Sequence, residues 1–341
     1  MAAKVARRSL AALGQAAWGI ALLAGACTGN TAPEAAGPSL TIVAPFLDSP
    51  IEDRLPPADD RPLDRVKLAV LDRINRDRAA AGLPTILWDD RAARVADDFC
   101  AAQIREATSG HFLTNGFPPY ARTSFAGVFG MQLENSVTWR TTASSFDETA
   151  VELALQAHAS MLAETPPNDG HRRTILDAAV THVGVGYALV GGSFRMAQEF
   201  LTRHFEWLKV ERLEGRAIVA IRGVPIEGRR LQFVTIGWEP PPARLAREEA
   251  SSRTSYSYPE TLYAFVDEGN VRLKVAGAVT FDRIRFAGAR EFSFRFGADR
   301  PGLWTLEFYT VAAKEPRPIQ GAAVSVWFDE PSRAPASGSS P

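Results

Sequence analysis

The sequence predicts an α+β protein, in which a mixed domain of helices and sheet precedes an antiparallel β-sandwich. Three amphipathic helical segments occur between Leu63 and about residue 165, and a hairpin pattern follows them. After Trp207, short strands alternate with Gly, Pro or charged turns. With 341 residues, 46% of them hydrophobic, the chain is long enough for two domains with cores of ordinary size.

The periodicity of the first part predicts three helices and one hairpin. The helices are one from Leu63 that Gly82 and Pro84 end, one capped by Asp89 or Asp90, and one that begins at the capping box Ser145 to Glu148. Strands at 183–189 and 194–200 flank Gly191-Gly192, which is typical of a tight hairpin turn. We expect residues 109–142, rich in Gly, Pro, Ser, Thr and Asn, to form a long irregular connection that carries function.

The second part predicts a sandwich of seven or eight strands. They are expected at 213–222, 231–238, 262–266, 271–275, 280–286, 292–296, 303–309 and 324–328. Its aromatic residues favour either core packing or stacking on sugars, and the sequence leaves both open for Trp238, Tyr256, Tyr258, Trp304, Tyr309 and Trp327.

The N-terminus has the pattern of an export signal. Lys4, Arg7 and Arg8 precede an uncharged apolar stretch that ends at Ala26, too short for a membrane span. The run Leu22-Leu23-Ala24-Gly25-Ala26-Cys27 resembles the bacterial lipobox, which predicts a lipidated Cys27; plain cleavage or an uncleaved anchor are the alternatives. The predicted organisation is a signal peptide at 1–26, a Pro-rich tether at 27–62, domains at 63–207 and 208–331, and a disordered tail at 332–341.

Charge and cysteine content exclude several classes of function. The 38 basic and 39 acidic residues leave a net charge of −1, so we expect no nucleic-acid partner, and membrane contact only through the lipid anchor. Cys100 is predicted to be a buried structural thiol. The motifs of serine hydrolases, zinc peptidases of the His-Glu-x-x-His type and P-loop proteins do not occur in the sequence.

Imidazole is concentrated in one region, since all five histidines lie between His111 and His204. Residues 70–205 resemble the CAP superfamily (cysteine-rich secretory, antigen-five and pathogenesis-related proteins) in its bacterial, SCP-like extracellular form. The pieces that carry this resemblance are Ile74-Asn75 with Arg78, Gly82-Leu83-Pro84 with Leu87-Trp88-Asp89, Leu133-Glu134-Asn135, Gly170-His171-Arg172-Arg173-Thr174-Ile175-Leu176, and Val183-Gly184-Val185-Gly186-Tyr187 with Ala197-Gln198-Glu199-Phe200.

The resemblance implies a CAP-type α-β-α sandwich with a cavity lined by two histidines and two glutamates. Carried over to this sequence, they are His111, Glu134, Glu164 and His171. Two imidazoles and two carboxylates suit a divalent metal such as Zn²⁺. The alternative is a hydrogen-bonded network that fixes the loop to the helices without an ion.

Three hypotheses of function follow. The first is a non-enzymatic binding module of an exported, lipid-anchored cell-envelope protein, with a small or lipid-like ligand in the cavity and a sandwich that docks a partner or an envelope polymer. The second is a metal-dependent hydrolase or peptidase of the cell envelope, in which one glutamate acts as general base. The third is a purely structural or adhesive surface protein.

Overall fold

The computed structural model describes residues 50–54, 63–142, 147–213, 218–266, 285–287 and 290–329. In chain order, its first elements are β1 (Ile51–Arg54), α1 (Arg65–Ala80), β2 (Leu87–Trp88), α2 (Asp90–Glu106), α3 (Pro119–Phe125), β3 (Met131–Arg140), α4 (Asp147–Leu162), α5 (Gly170–Ile175), β4 (His182–Val190) and β5 (Ser193–Thr202). Four of the strands form one sheet in the order β2-β4-β5-β3. Strand β3 therefore lies at an edge of this sheet.

Helix α1 packs its apolar face on one side of this sheet and also holds the end of helix α5. Its residues at helical spacing are buried: Val66, Val70, Ile74 and Arg78. The Arg78 guanidinium donates to the carbonyls of Ile175 and Asp177 at 2.9 and 2.8 Å. This buried arginine thereby satisfies one carbonyl at the end of α5 and one just beyond it, where a helix leaves carbonyls without partners.

The sheet separates helices on its two faces, as the predicted α-β-α sandwich requires. Val183 and Val185 of β4 belong to the apolar cluster that α1 and α4 supply. Gly184 lies between these two valines and Gly186 follows them, and both glycines face α2, because side chains alternate across a strand. Asp89 is the N-cap of helix α2, one of the two caps predicted, and its side chain accepts from the Ala92 N–H at 2.9 Å. The Cys100 thiol is buried, and burial raises its pKa.

The prediction of an irregular connection over 109–142 is wrong for much of its length. Helix α3 begins with Pro119 in its first turn, where the missing N–H has no cost. Strand β3 pairs antiparallel with β5 from Met131 to Arg140. The apolar residues Leu133, Val137 and Trp139 occupy alternate positions there, so they share one face of a strand. This two-residue period was present in the sequence among the polar residues.

The second part is an antiparallel β-sandwich, as predicted. Its elements are β6 (Phe205–Leu213), β7 (Ile218–Pro225), β8 (Arg229–Glu239), α6 (Arg247–Ser252), β9 (Thr261–Val266), β10 (Arg285–Ala287), β11 (Glu291–Gly297), β12 (Gly302–Ala312) and β13 (Ile319–Phe328). They form two sheets in the orders β1-β6-β7-β11-β10 and β13-β12-β8-β9. Aromatic residues, with Trp304 fully buried among them, fill the space between the sheets. The strand predicted at 271–275 lies outside the described residues.

Part of the predicted tether belongs to the sandwich. Residues Ile51–Arg54 pair antiparallel with β6 as an edge strand. Asp53 is buried and accepts from the Phe129 N–H at 2.8 Å and from the Arg203 guanidinium at 2.6 Å. Arg203 also bonds Asp89, the N-cap of α2. The short strand is thus held by a buried ion-pair network, which the proline-rich composition does not indicate.

The domain boundary at 207/208 stays a prediction, and it falls inside strand β6. The predicted signal peptide, Cys27, most of the tether, Ser145 of the capping box and the tail at 332–341 lie outside the described residues. Among the residues that are described, none of the helices is both long and apolar enough to cross a membrane.

Candidate functional site

His111 and Glu134 form the buried arm of the site. Nδ1 of His111 lies 2.8 Å from Oε1 of Glu134, and the two side chains are 9% and 0% exposed. Burial, with Arg122 nearby, lowers the pKa of His111 to about 4, so the imidazole is neutral at pH 7. A neutral ring that donates from Nδ1 to a carboxylate keeps its lone pair on Nε2.

Arg122 completes this arm, and the sequence analysis did not find it. Its guanidinium donates to the His111 carbonyl at 2.9 Å and to Oε2 of Glu134, and it lies 3.9 Å from the centre of the Phe99 ring. The side chain is 3% exposed. The segment that carries Arg122 was expected to be irregular, whereas α3 orients this arginine toward the site.

A second buried carboxyl group lies behind Glu134. Glu199 stands opposite Glu134 in the β3–β5 pairing, and Gln132 donates to its Oε2 at 2.5 Å. Burial and the neighbouring Glu134 raise the pKa of Glu199 well above its usual range. Burial raises the pKa of Glu134 as well, whereas the Arg122 guanidinium, which bonds Glu134, opposes that rise and favours its charged form.

His171 and Glu164 form the more open arm. Glu164 follows the end of α4, and its two oxygens bond the His171 backbone N–H at 3.0 Å and Nδ1 of the same residue at 2.5 Å. The side chains of His171 and Glu164 are 30% and 25% exposed. Glu164 is thus placed beside His171.

Strand β3 links the two arms through consecutive residues. Glu134 bonds the His111 ring, and Asn135 donates to the His171 carbonyl at 3.2 Å. Because successive strand residues point to opposite faces, the two histidines are held from the two sides of one sheet edge. Their ring centres are 6.5 Å apart.

All four predicted residues therefore meet at one edge of the sheet, as two histidine–glutamate pairs. Each carboxylate bonds an Nδ1 atom, and the described residues hold no group of three or more His, Cys, Asp or Glu arranged to bind a metal ion. What the geometry leaves for an ion is the two Nε2 atoms, with other coordination positions open to water or a ligand.

Tyr256 is a second residue that sequence analysis did not assign to the site. Its ring packs edge-on against His111 with 5.1 Å between ring centres, and its hydroxyl accepts from the Glu134 N–H at 2.6 Å. Tyr256 follows α6, within the part of the chain expected to be sandwich. Neither of the two roles considered for it, sandwich core or sugar stacking, describes this position.

The other three histidines are buried away from this pair. His158 bonds Asp77 through Nε2 and Gln198 through Nδ1, as expected of a core histidine. His182 and His204 bond threonine hydroxyls at 2.8 and 2.9 Å, so they are packing residues and not surface residues.

A family model and several solved structures match the part of the chain that carries these residues. Residues 71–204 match the model of the cysteine-rich secretory protein family, CAP. A comparison with curated protein sequences gives no match.

Solved structures with a similar chain course include an extracellular SCP-domain protein of Bacillus anthracis (20% identity, 42% of this chain and 45% of that one, TM-score 0.32). An outer surface protein of Borrelia burgdorferi matches at 15% identity over 39% of this chain and 88% of that one, with a TM-score of 0.32. A structure of NaASP2 with Zn²⁺ matches at 12% identity over 42% and 83%, with a TM-score of 0.29. The match spans less than half the length of the Bacillus protein. From residue 71 to residue 204, this chain is a CAP domain of the cysteine-rich secretory protein family.

Proposed function

We propose that the CAP domain is a binding module, in which His111 and His171 hold a divalent ion and, with it, a small or lipid-like ligand. The observation that carries this proposal is the pairing of each Nδ1 atom with a glutamate. Histidines that bind metals commonly donate their other ring N–H to a carboxylate, which fixes the tautomer and the ring orientation. Both histidines of this site have that partner.

The donor set fits Zn²⁺ or a similar ion of borderline softness. Imidazole nitrogen is a common zinc ligand, and a site with fewer than four protein ligands leaves positions for water or a ligand. His111 is neutral at pH 7, which is the form that binds a metal. The ion would lie at the boundary between the buried arm and the open arm, so a ligand would reach it past His171 and Glu164.

A hydrolase is the less favoured use of this site. A general base needs a free lone pair near the attacking water. Glu134 instead accepts from His111 and Arg122, and Glu164 accepts from two groups of His171. If the site is hydrolytic, Glu134→Gln abolishes zinc-dependent turnover of peptidoglycan or peptides, and no turnover on a broad panel contradicts that hypothesis.

Calorimetry of the mature chain with Zn²⁺ tests the binding proposal. We expect the wild type to bind one ion, His171→Ala to lose binding, and Glu164→Gln to bind about ten- to a hundredfold more weakly, since it loses the carboxylate behind the ligand. Arg173→Ala is the matched control, because this exposed residue lies on the same helix turn and its side chain pairs with Asp169. Equal heats for wild type and His171→Ala, or none for either, contradict the proposal.

Scaffolding is the second candidate role, and the closed hydrogen bonding of the site favours it. Thermal unfolding with and without Zn²⁺ separates the two roles. An ion that binds the folded state raises the melting temperature. If Zn²⁺ leaves the wild type unchanged while His111→Ala and Glu134→Ala lower its melting temperature strongly, the four residues are a structural network.

We also propose that the chain is exported and lipid-anchored at Cys27, with the sandwich docking a partner or an envelope polymer. The basic start and the lipobox-like run support the anchor. Mass spectrometry of the membrane fraction is expected to find diacylglycerol on Cys27. A Cys27→Ser variant that still partitions with the membrane argues against this anchor.

A further inference from the structure

A segment of the second part of the chain lies across the CAP site. We call residues 240–260, between β8 and β9, the strap, and residues 109–117 the His111 loop. The strap bonds this loop twice, since the Leu245 N–H donates to the Thr114 carbonyl at 2.9 Å and the Ser109 N–H donates to the Ser251 hydroxyl at 3.2 Å. Phe112, Leu245 and Ala250 form a buried apolar cluster between the two segments.

Two glycines of the His111 loop make room for the strap. Gly116 has φ +77°, and a Cβ there would lie 2.5 Å from the Ala243 carbonyl oxygen. Gly110 has φ +76°, and a Cβ there would lie 3.2 Å from the Arg253 carbonyl oxygen. Both positions therefore favour glycine for its backbone conformation and for the close approach of the strap.

Two tyrosines of the strap satisfy the free edge of strand β3. The Glu134 N–H donates to the Tyr256 hydroxyl at 2.6 Å, and the Gln132 N–H donates to the Tyr258 hydroxyl at 2.9 Å. An edge strand otherwise leaves every second N–H without a partner in the sheet. The spacing of two residues in the strap matches the spacing of two residues in the strand.

The two tyrosines differ in what their rings touch. Tyr256 packs against the His111 ring, with 5.1 Å between ring centres. Tyr258 stacks on Tyr120, with 4.4 Å between ring centres. Both side chains are partly buried, and each hydroxyl accepts from a backbone N–H of β3. Phenylalanine at either position therefore keeps the ring and removes one such bond, to Glu134 in one case and to Gln132 in the other.

We propose that Tyr256 is a positioning residue for the proposed ion site, and that the strap thereby makes the C-terminal part a component of that site. The hydroxyl fixes the backbone of Glu134, and the ring limits the rotation of His111. Together they hold the bond between Nδ1 of His111 and Glu134, which leaves Nε2 as the lone-pair nitrogen. The strap also covers the His111 arm, so that a ligand approaches only from the side of His171 and Glu164.

The test compares Tyr256→Phe with Tyr258→Phe in the full mature chain. Nitrogen-15 NMR of the ion-free protein reports which ring nitrogen of His111 carries the proton. We expect a single tautomer with Nδ1–H in the wild type and in Tyr258→Phe, and a mixture of tautomers in Tyr256→Phe. A merely structural hydroxyl would not produce this difference, because both variants lose the same kind of bond to β3.

Zn²⁺ calorimetry supplies the second readout, and only this readout rests on the proposed function. We expect affinity about tenfold weaker for Tyr256→Phe, as for the loss of other groups behind a metal ligand, and unchanged for Tyr258→Phe. If the wild type binds no Zn²⁺, the ion proposal fails while the tautomer signature still decides the role of Tyr256. The same His111 signature in all three proteins, or equal changes in both variants, overturns the inference.

Discussion

At the scale of single residues, the site depends on buried charges that balance one another. Arg122 pairs with Glu134, and burial beside Glu134 raises the pKa of Glu199. The two histidines and two glutamates of the site were predicted from their resemblance to family motifs. Arg122 was not, because it contacts Glu134, which lies 12 residues further on in strand β3, and no local pattern shows that the two meet.

The Arg122–Glu134 ion pair gives a first prediction. Arg122→Met leaves the Glu134 carboxylate buried without its main counter-charge, which we expect to lower the free energy of unfolding by about 3–5 kcal/mol. Arg173→Met is the control, since Arg173 is 72% exposed in its pair with Asp169 and its loss is expected to cost less than about 1 kcal/mol. Urea unfolding of both variants measures the difference; similar losses would contradict the view that Arg122 is a buried counter-charge.

At the scale of elements, the glycines of β4 decide how close helix and sheet can lie. A Cβ at Gly186 would lie 2.1 Å from the Asp97 nitrogen and 2.2 Å from the Ala96 carbonyl carbon. Helix α2 thus packs with its backbone directly on the strand. The alternation of Val183, Gly184, Val185 and Gly186 predicted a strand, but it did not reveal that the glycines face a helix backbone.

A second prediction concerns this helix–strand contact. Gly186→Ala has to push α2 away from β4, so we expect the free energy of unfolding to fall by about 3 kcal/mol, at the upper end of ordinary overpacking. Gly170→Ala is the control, because a Cβ at Gly170 meets nothing within 4 Å and the residue lies in helix α5. Alanine there is expected to change stability by less than about 1 kcal/mol. Chemical denaturation that gives both variants wild-type stability would show that α2 adjusts freely.

At the scale of the whole molecule, buried polar residues join the CAP sheet to the sandwich. His204 follows β5, its N–H donates to the Gly321 carbonyl at 2.9 Å, and its Nδ1 lies 2.9 Å from the Thr310 hydroxyl. Burial, with Arg229 nearby and Glu315 opposing it, lowers the pKa of His204 to about 4. The pKa values of His111 and His182 are lowered to about 4 as well, first of all by burial.

These pKa values predict a loss of stability in mild acid. An unfolded histidine binds its proton near pH 6.5, whereas these buried ones resist it down to about pH 4. Between these values the unfolded state holds more protons, so the free energy of unfolding falls as pH falls through this window. His204→Gln is expected to give a shallower decline than the wild type between pH 6.5 and 4. Denaturant titrations at several pH values measure both slopes, and identical slopes would exclude a contribution from His204.

The sequence by itself determined the period of the helices and strands, the hairpin at Gly191-Gly192 and the sandwich that follows, because these depend on residues close together in the chain. Through the resemblance it also named the four side chains that meet. Only the tertiary structure shows that β3 is an edge strand and that β1, within the predicted tether, pairs with strand β6 of the sandwich. It also shows that Tyr256 packs against His111. The contact between Glu134 and Tyr256 joins residues 122 positions apart, and the pairing of Ile51 with Val210 joins residues 159 positions apart. Local sequence patterns do not show which distant segment will satisfy the free hydrogen-bonding groups of an edge strand.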